Sequence, residues 1–120
     1  MNFFEAINAH IAWKLKLQRY IDGVSEENLN PDSICQDNKC KLGQWIYGEG
    51  QVLKAQPLFQ DCREKHADFH KFAAEVVRKC DSGDKSQAQV MLDSQYRVLS
   101  RKIIKSLTQL HMDQKEEGAS

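Results

Sequence analysis

The side chains best suited to chemistry in this chain are four histidines and four cysteines. Two histidines stand four apart in His66-Ala67-Asp68-Phe69-His70. On a helix that spacing stacks two imidazoles on one face. The flanking pattern turns this face inward. Phe59, Cys62, His66, Phe69, His70, Ala73, Val76, Val77 and Cys80 recur at steps of three and four, while Arg63, Glu64, Lys65, Asp68, Lys71, Glu75, Arg78 and Lys79 fill the other side. A buried imidazole needs hydrogen-bond partners or a metal. Two at one level can present ring nitrogens to a single ion. The competing reading is a pair of core histidines satisfied by hydrogen bonds, and an HxxxH pair alone does not decide between them. The glutamate of the metalloprotease HExxH is missing, so hydrolysis is not suggested.

The elements that would position these residues follow from periodicity. A first helix is predicted from about Phe3 to Asp22, with Phe3, Phe4, Ile7, His10, Ile11, Lys14, Leu17 and Ile21 inward and Trp13 and Tyr20 at the margin. His10 is therefore a third inward histidine, and Gly23 is suited to the left-handed cap. A polar connection, Val24 to Lys39, follows, with turn or cap chemistry at Ser25/Asn28 and at Pro31-Asp32. Loops this long often carry function.

Cys40 to Gly48 reads as a short amphipathic helix, with Asn38 as N-cap and Gly48 as the C′ residue. Cys40 then lies in the first turn, where N–H groups and the positive dipole end favour thiolate. Gly43 inside this helix implies the close approach of another backbone or ring, and Trp45 a large anchor into the core. Val52 to Gln56 is a further turn. A long helix starts at Pro57 and ends at Cys80 or Asp81. After Asp81-Ser82-Gly83-Asp84, with Asp84 or Ser86 as cap, the last helix is predicted from about Lys85 to Met112. Its stripe is Ala88, Met91, Leu92, Tyr96, Leu99, Ile103, Ser106, Leu107 and Leu110. Residues 113–120 are expected to be a disordered tail, with His111 exposed near its start. The expectation is an all-α, four-helix-bundle-like domain over residues 1–112, made of three long antiparallel helices and one short one.

Composition bounds the function classes. The 120 residues suffice for one domain, and 17 basic residues balance 17 acidic ones. There is no basic footprint for nucleic acid. No run approaches the ~18 apolar residues of a membrane span. The first residues lack the basic start and apolar middle of a secretory signal, so a cytoplasmic protein with reduced thiols is expected. Cys62 and Cys80 read as small buried hydrophobes and Cys35 as a free surface thiol.

Three histidines and one capped cysteine make a four-ligand N/S set suited to tetrahedral zinc: His10, Cys40, His66 and His70. His10 lies about 12 residues from the end of its helix and His70 about 10 from the end of its own, so both sit near mid-bundle. A connection of about 16 residues is long enough to bring Cys40 back down the side.

These segments resemble the bacterial chemoreceptor zinc-binding domain (CZB) family. Ala9-His10-Ile11-Ala12-Trp13-Lys14, then Cys40-Lys41-Leu42-Gly43-Gln44-Trp45 with Tyr47 and Gly48-Glu49-Gly50, then His66 to His70 match its HxxW-K, CxLGxW and HxxxH segments in order. The family's zinc ligands carry over to His10, Cys40, His66 and His70. The resemblance implies a cytoplasmic, non-catalytic regulatory module, often a homodimer, found with chemoreceptor signalling domains and diguanylate cyclases. Such modules respond to zinc and, in some members, to oxidants such as hypochlorite through the ligand cysteine. This chain carries no output domain of its own, so the output is expected from a partner or from a domain outside the sequence. Two other classes stay open. One is a thiol enzyme with Cys40 as nucleophile and a histidine base, for which no third orienting residue is recognisable. The other is a metal-free helical interaction domain. A di-iron bundle is favoured less than either, since it needs inward carboxylates in Glu-x-x-His pairs and no Glu-x-x-His occurs.

Overall fold

In the computed structural model, residues 3–25 and 29–119 are described, with side chains through 113. The centre of the fold is α4, Pro57–Asp81, whose bounds match those predicted. Proline at its first position lacks an N–H that would have no partner there. All nine residues of its predicted stripe are buried. Gly83 ends the following turn at φ 91°, and the Asp84 side chain accepts from the Gln87 N–H to start α5.

The expected last helix is two helices. α5, Lys85–Asp93, and α6, Gln95–Ala119, meet at Ser94, whose φ of −115° and ψ of −90° leave the helical region. Ser94 Oγ donates to the Val90 carbonyl at 2.6 Å, so its own side chain competes for a helix acceptor. The apolar period runs through unbroken, with Leu92 and Tyr96 both buried, which is why the sequence reads as one element. α6 also continues past the expected end at Met112, through a run of helix formers.

α1, Phe3–Ile21, buries a narrower arc than predicted: Phe3, Ala6, His10, Leu17 and Ile21. Phe4 and Ile11 are 66% and 50% exposed, and Lys14 is exposed as well. The small Ala6 sets this arc, and the two larger residues fall on its flank.

α1 and α4 run in the same direction. Tyr20 near the end of α1 bonds Asp81 at the end of α4, and the α5–α6 leg runs against both, with Phe3 beside His111 and Asp61 accepting from Ser106 Oγ at 2.9 Å. The chain between α1 and α4 must therefore descend, and it does so along α4. Asp32 pairs with Arg78, Ile34 meets His70, Cys40 meets His66 and Trp45 meets Phe59. This descent supplies the fourth leg of the bundle. It holds α2, Pro31–Ile34, capped by the Asn30 side chain, then α3, Lys41–Tyr47, and a 3-10 turn, Glu49–Leu53. The sequence reads as loop over α2. Four residues are too few to show a period, and only the Asn30-Pro31 pair marks them. The expected Ser25/Asn28 turn falls partly on residues 26–28, outside the described residues.

Candidate metal centre

Three of the four legs of the bundle deliver the parts of a single cluster. α4 carries His66 and His70 one turn apart, with Nε2 atoms 2.9 Å from each other. α1 brings His10, whose ring centroid lies 5.0 Å from that of His66 and 5.9 Å from that of His70. The descending leg brings Cys40, with Sγ 3.2 Å from His66 Nε2 and 3.6 Å from His70 Nε2. One ligand atom from each of His10, Cys40, His66 and His70 lies within 4.8 Å of all the others. Every residue singled out in the sequence as a candidate ligand is thus in the cluster.

Cys40 is the N-cap of α3, not a first-turn residue, and Asn38 does not cap it. The Cys40 backbone is extended (φ −77°, ψ 164°), and its Sγ accepts from the Gly43 N–H at 3.3 Å. The sulfur takes the role that a serine or aspartate oxygen usually has. Gly43 is needed because the backbone of Asp37 crosses it: a Cβ there would stand 1.7 Å from the Asp37 carbonyl oxygen.

The histidines are held as neutral rings with inward lone pairs. His10 Nδ1 donates to the Ala6 carbonyl at 2.6 Å and His70 Nδ1 to the Ile34 carbonyl at 2.9 Å. A carbonyl only accepts, so both Nδ1 atoms carry the proton and both Nε2 atoms present a lone pair. Burial lowers the pKa of His10 to about 4 and that of His66 to about 2, the neighbouring histidines adding to the shift. It lowers His70 too. His10 Nε2 and His66 Nδ1 are buried with no hydrogen-bond partner. An orphaned acceptor costs about 1–3 kcal/mol. For His10 that acceptor faces the cluster.

At Cys40 the electrostatics differ from the sequence expectation. The N–H groups of Gly43 and Leu42 do favour thiolate, but burial outweighs them and pushes the thiol up. Among protein groups alone the thiol form prevails. A cation among the three imidazoles would reverse that balance, because a metal-bound thiol is deprotonated outright.

The donor set therefore fits zinc on several grounds. It is Cys-His₃, its rings are neutral, and one acceptor has no other partner. Four ligands at normal Zn–N and Zn–S lengths would be about 3.3–3.6 Å apart in a tetrahedron; the Cys40–His66 and Cys40–His70 separations, 3.2 and 3.6 Å, are close to that, and His66 and His70 stand nearer, at 2.9 Å. Were all four to bind one ion, the site would be closed, with no open position for a substrate. A 3.2 Å Cys–His contact also resembles a thiol–base pair, here with burial disfavouring both the thiolate and the imidazolium.

The Ala6 and Ile34 carbonyls that orient the rings were not read from the sequence. Ala6 was legible in principle, four residues before His10. Backbone groups such as Ile34 O leave no signal. His111 stands apart, its ring packed 5.5 Å from Phe3 and 5.7 Å from Phe4. Cys35, Cys62 and Cys80 are free thiols, and burial pushes Cys62 up to about 12. Two clefts border Cys40. A groove of about 770 Å³ between α1 and α3 also touches Ala9 and His10, and one of about 270 Å³ touches Trp13 and His70.

Among the described residues no helix is long and apolar enough to cross a membrane. No curated protein and no solved structure gives a significant match to the chain. The profile of the chemoreceptor zinc-binding domain matches residues 10–77, a span from His10 to just past His70 that takes in all four residues of the cluster, and the chain belongs to that family of zinc-binding signalling domains.

Proposed function

We propose that His10, Cys40, His66 and His70 hold one zinc ion and that the domain, residues 1–112, is a cytoplasmic, non-catalytic sensor for bacterial signal transduction of the chemotaxis or cyclic-di-GMP type. The observation that carries this reading is the convergence of the four ligand atoms within 4.8 Å, drawn from three separate parts of the chain. When bound, zinc supplies a charge that cross-links α1, α4 and the descending leg.

The sensing element is Cys40. His66 and His70 share one rigid helix, and His10 is held by its own helix. α3 enters the cluster through one sulfur alone. Two-electron oxidation by hypochlorite converts the thiolate to a sulfenic acid, with chloride as the reduced product. The sulfur then loses its charge, and α3 loses its tie to the histidines. Loss of zinc has the same consequence. Either event biases a two-state element. The groove along α1 gives solvent-borne reagents a path to the sulfur.

The output would pass to a signalling partner or an attached domain. A homodimer fits the apolar flank of α1, where Phe4, Ile11 and Leu15 are half-exposed or more. The deciding experiment is metal content by mass spectrometry of protein purified without added metal. One zinc per chain is expected, falling sharply in Cys40→Ala. Metal-free wild-type protein, or full zinc in Cys40→Ala, overturns the reading.

A further inference from the structure

Cys40 lies inside a loop closed by its own neighbours. Tyr47, the last residue of α3, donates its hydroxyl to Asp37 Oδ2 at 2.5 Å. The backbone of the same Asp37 lies against Gly43, in the first turn of α3, too close for any Cβ. Gln44 Nε2 adds a bond to the Lys39 carbonyl at 3.1 Å. The segment before Cys40 is thus tied to the helix after it at both ends. These ties fix the extended backbone of Cys40 and aim its sulfur at His66 and His70.

We propose that the Tyr47–Asp37 hydrogen bond is a latch that positions Cys40 as a ligand and sets how long the ion is retained. The proposal rests on the zinc reading above. The hydroxyl of Tyr47 and the carboxylate of Asp37 are positioning groups. They act through the loop that carries the sulfur.

Charge supports the same assignment. A dication with one thiolate and three neutral imidazoles leaves the centre net positive. The Asp37 carboxylate is near enough to act through space on both Cys40 and His70. A carboxylate beside such a centre compensates its charge. Asp37 therefore contributes twice, once as the acceptor of the latch and once as a counter-charge.

The test compares wild type, Tyr47→Phe and Asp37→Asn. Zinc release is timed with an excess of a coloured chelator. The cobalt(II)-loaded proteins are compared by their thiolate-to-metal absorption band. Both variants are expected to bind one zinc, to release it roughly tenfold faster, and to show a weakened or shifted cobalt band, the loss being larger for Asp37→Asn. Melting of the metal-free proteins should change little, because the Tyr47 side chain is about half exposed. If wild type binds zinc and both variants match it in release and spectrum, the latch is wrong and the zinc site stands. If wild type binds no zinc, both readings fail. Should Tyr47→Phe fold poorly, Asp37→Asn decides alone.

Discussion

The Nδ1 atom of His70 lies 2.9 Å from the carbonyl oxygen of Ile34. One proton thereby links the His/Cys cluster to α2, on the leg that carries Cys40. It fixes the ring orientation and leaves Nε2 as the only lone pair on that imidazole. His10 is held the same way by Ala6. A glutamine at either position keeps much of the volume but cannot both donate to the carbonyl and present a ligand nitrogen. His70→Gln and His10→Gln are each expected to weaken zinc binding by a hundredfold or more, measured by competition with a chelator. Chelation of the wild type should lower its melting temperature. In the variants, which begin nearly metal-free, it should not.

The buried histidines also set a pH dependence for the metal-free protein. His10 has a folded pKa of about 4 against an ordinary 6.5, and His66 one of about 2. The unfolded chain binds these protons first as pH falls. The stability contribution is present above about 6.5 and is lost progressively below it. For His10 alone the loss between pH 7 and pH 5 is about 2 kcal/mol. Urea midpoints of chelated protein should fall over that range. His66→Gln, which removes a titrating group, should flatten the decline. Zinc-loaded protein should lose metal in the same direction, because protons compete for the same nitrogens.

How much of this was legible in the sequence depends on the residue. His66 and His70 were legible because α4 is long, its apolar period is clean and Pro57 marks its start. Gly43 was legible as a close approach, since a helix interior has few other reasons for a glycine, although the sequence could not say that the crossing backbone belongs to Asp37. Cys40 was legible as a candidate ligand near the histidines but not as an N-cap, because sulfur is a rare capping atom and Asn38 is the commoner choice. The predicted thiolate failed for a different reason. Helix-end effects are local and can be read from the sequence, whereas burial depends on what packs above. The break at Ser94 was hidden by a period that continues through it, and the Ile34 carbonyl by being backbone. The direction of α1 relative to α4 follows from the descending leg, which reads as polar loop.

Gly43→Ala separates helix propensity from packing. In an open helix, alanine would stabilise by up to about 1 kcal/mol. Here its Cβ would meet the Asp37 carbonyl oxygen at 1.7 Å, so the loop must move. The expected result is a net loss of about 2 kcal/mol or more in denaturant unfolding. Zinc affinity should fall as well, since the displaced loop carries Cys40.

The apolar flank of α1 is expected to act independently of the metal. Ile11→Asp with Leu15→Asp places two charges on a half-exposed face. If that face joins two copies, light scattering should show a shift from dimer to monomer with zinc content unchanged. A wild type already monomeric at micromolar concentration would remove the dimer from the proposed function.

Access to the sulfur is the last expectation. Cys40 borders a groove of about 770 Å³ on the α1 side and one of about 270 Å³ beside Trp13. Ala9, an exposed residue one position before His10, lines the larger groove. Ala9→Leu would narrow that groove without adding charge or touching a ring nitrogen. Zinc extraction by a bulky chelator and alkylation of the metal-free Cys40 thiol, followed by peptide mass spectrometry, should both slow several-fold. Equal rates in variant and wild type would instead assign entry to the Trp13 side. There, rates should respond to Trp13→Ala, because the indole ring is the largest side chain on that cleft.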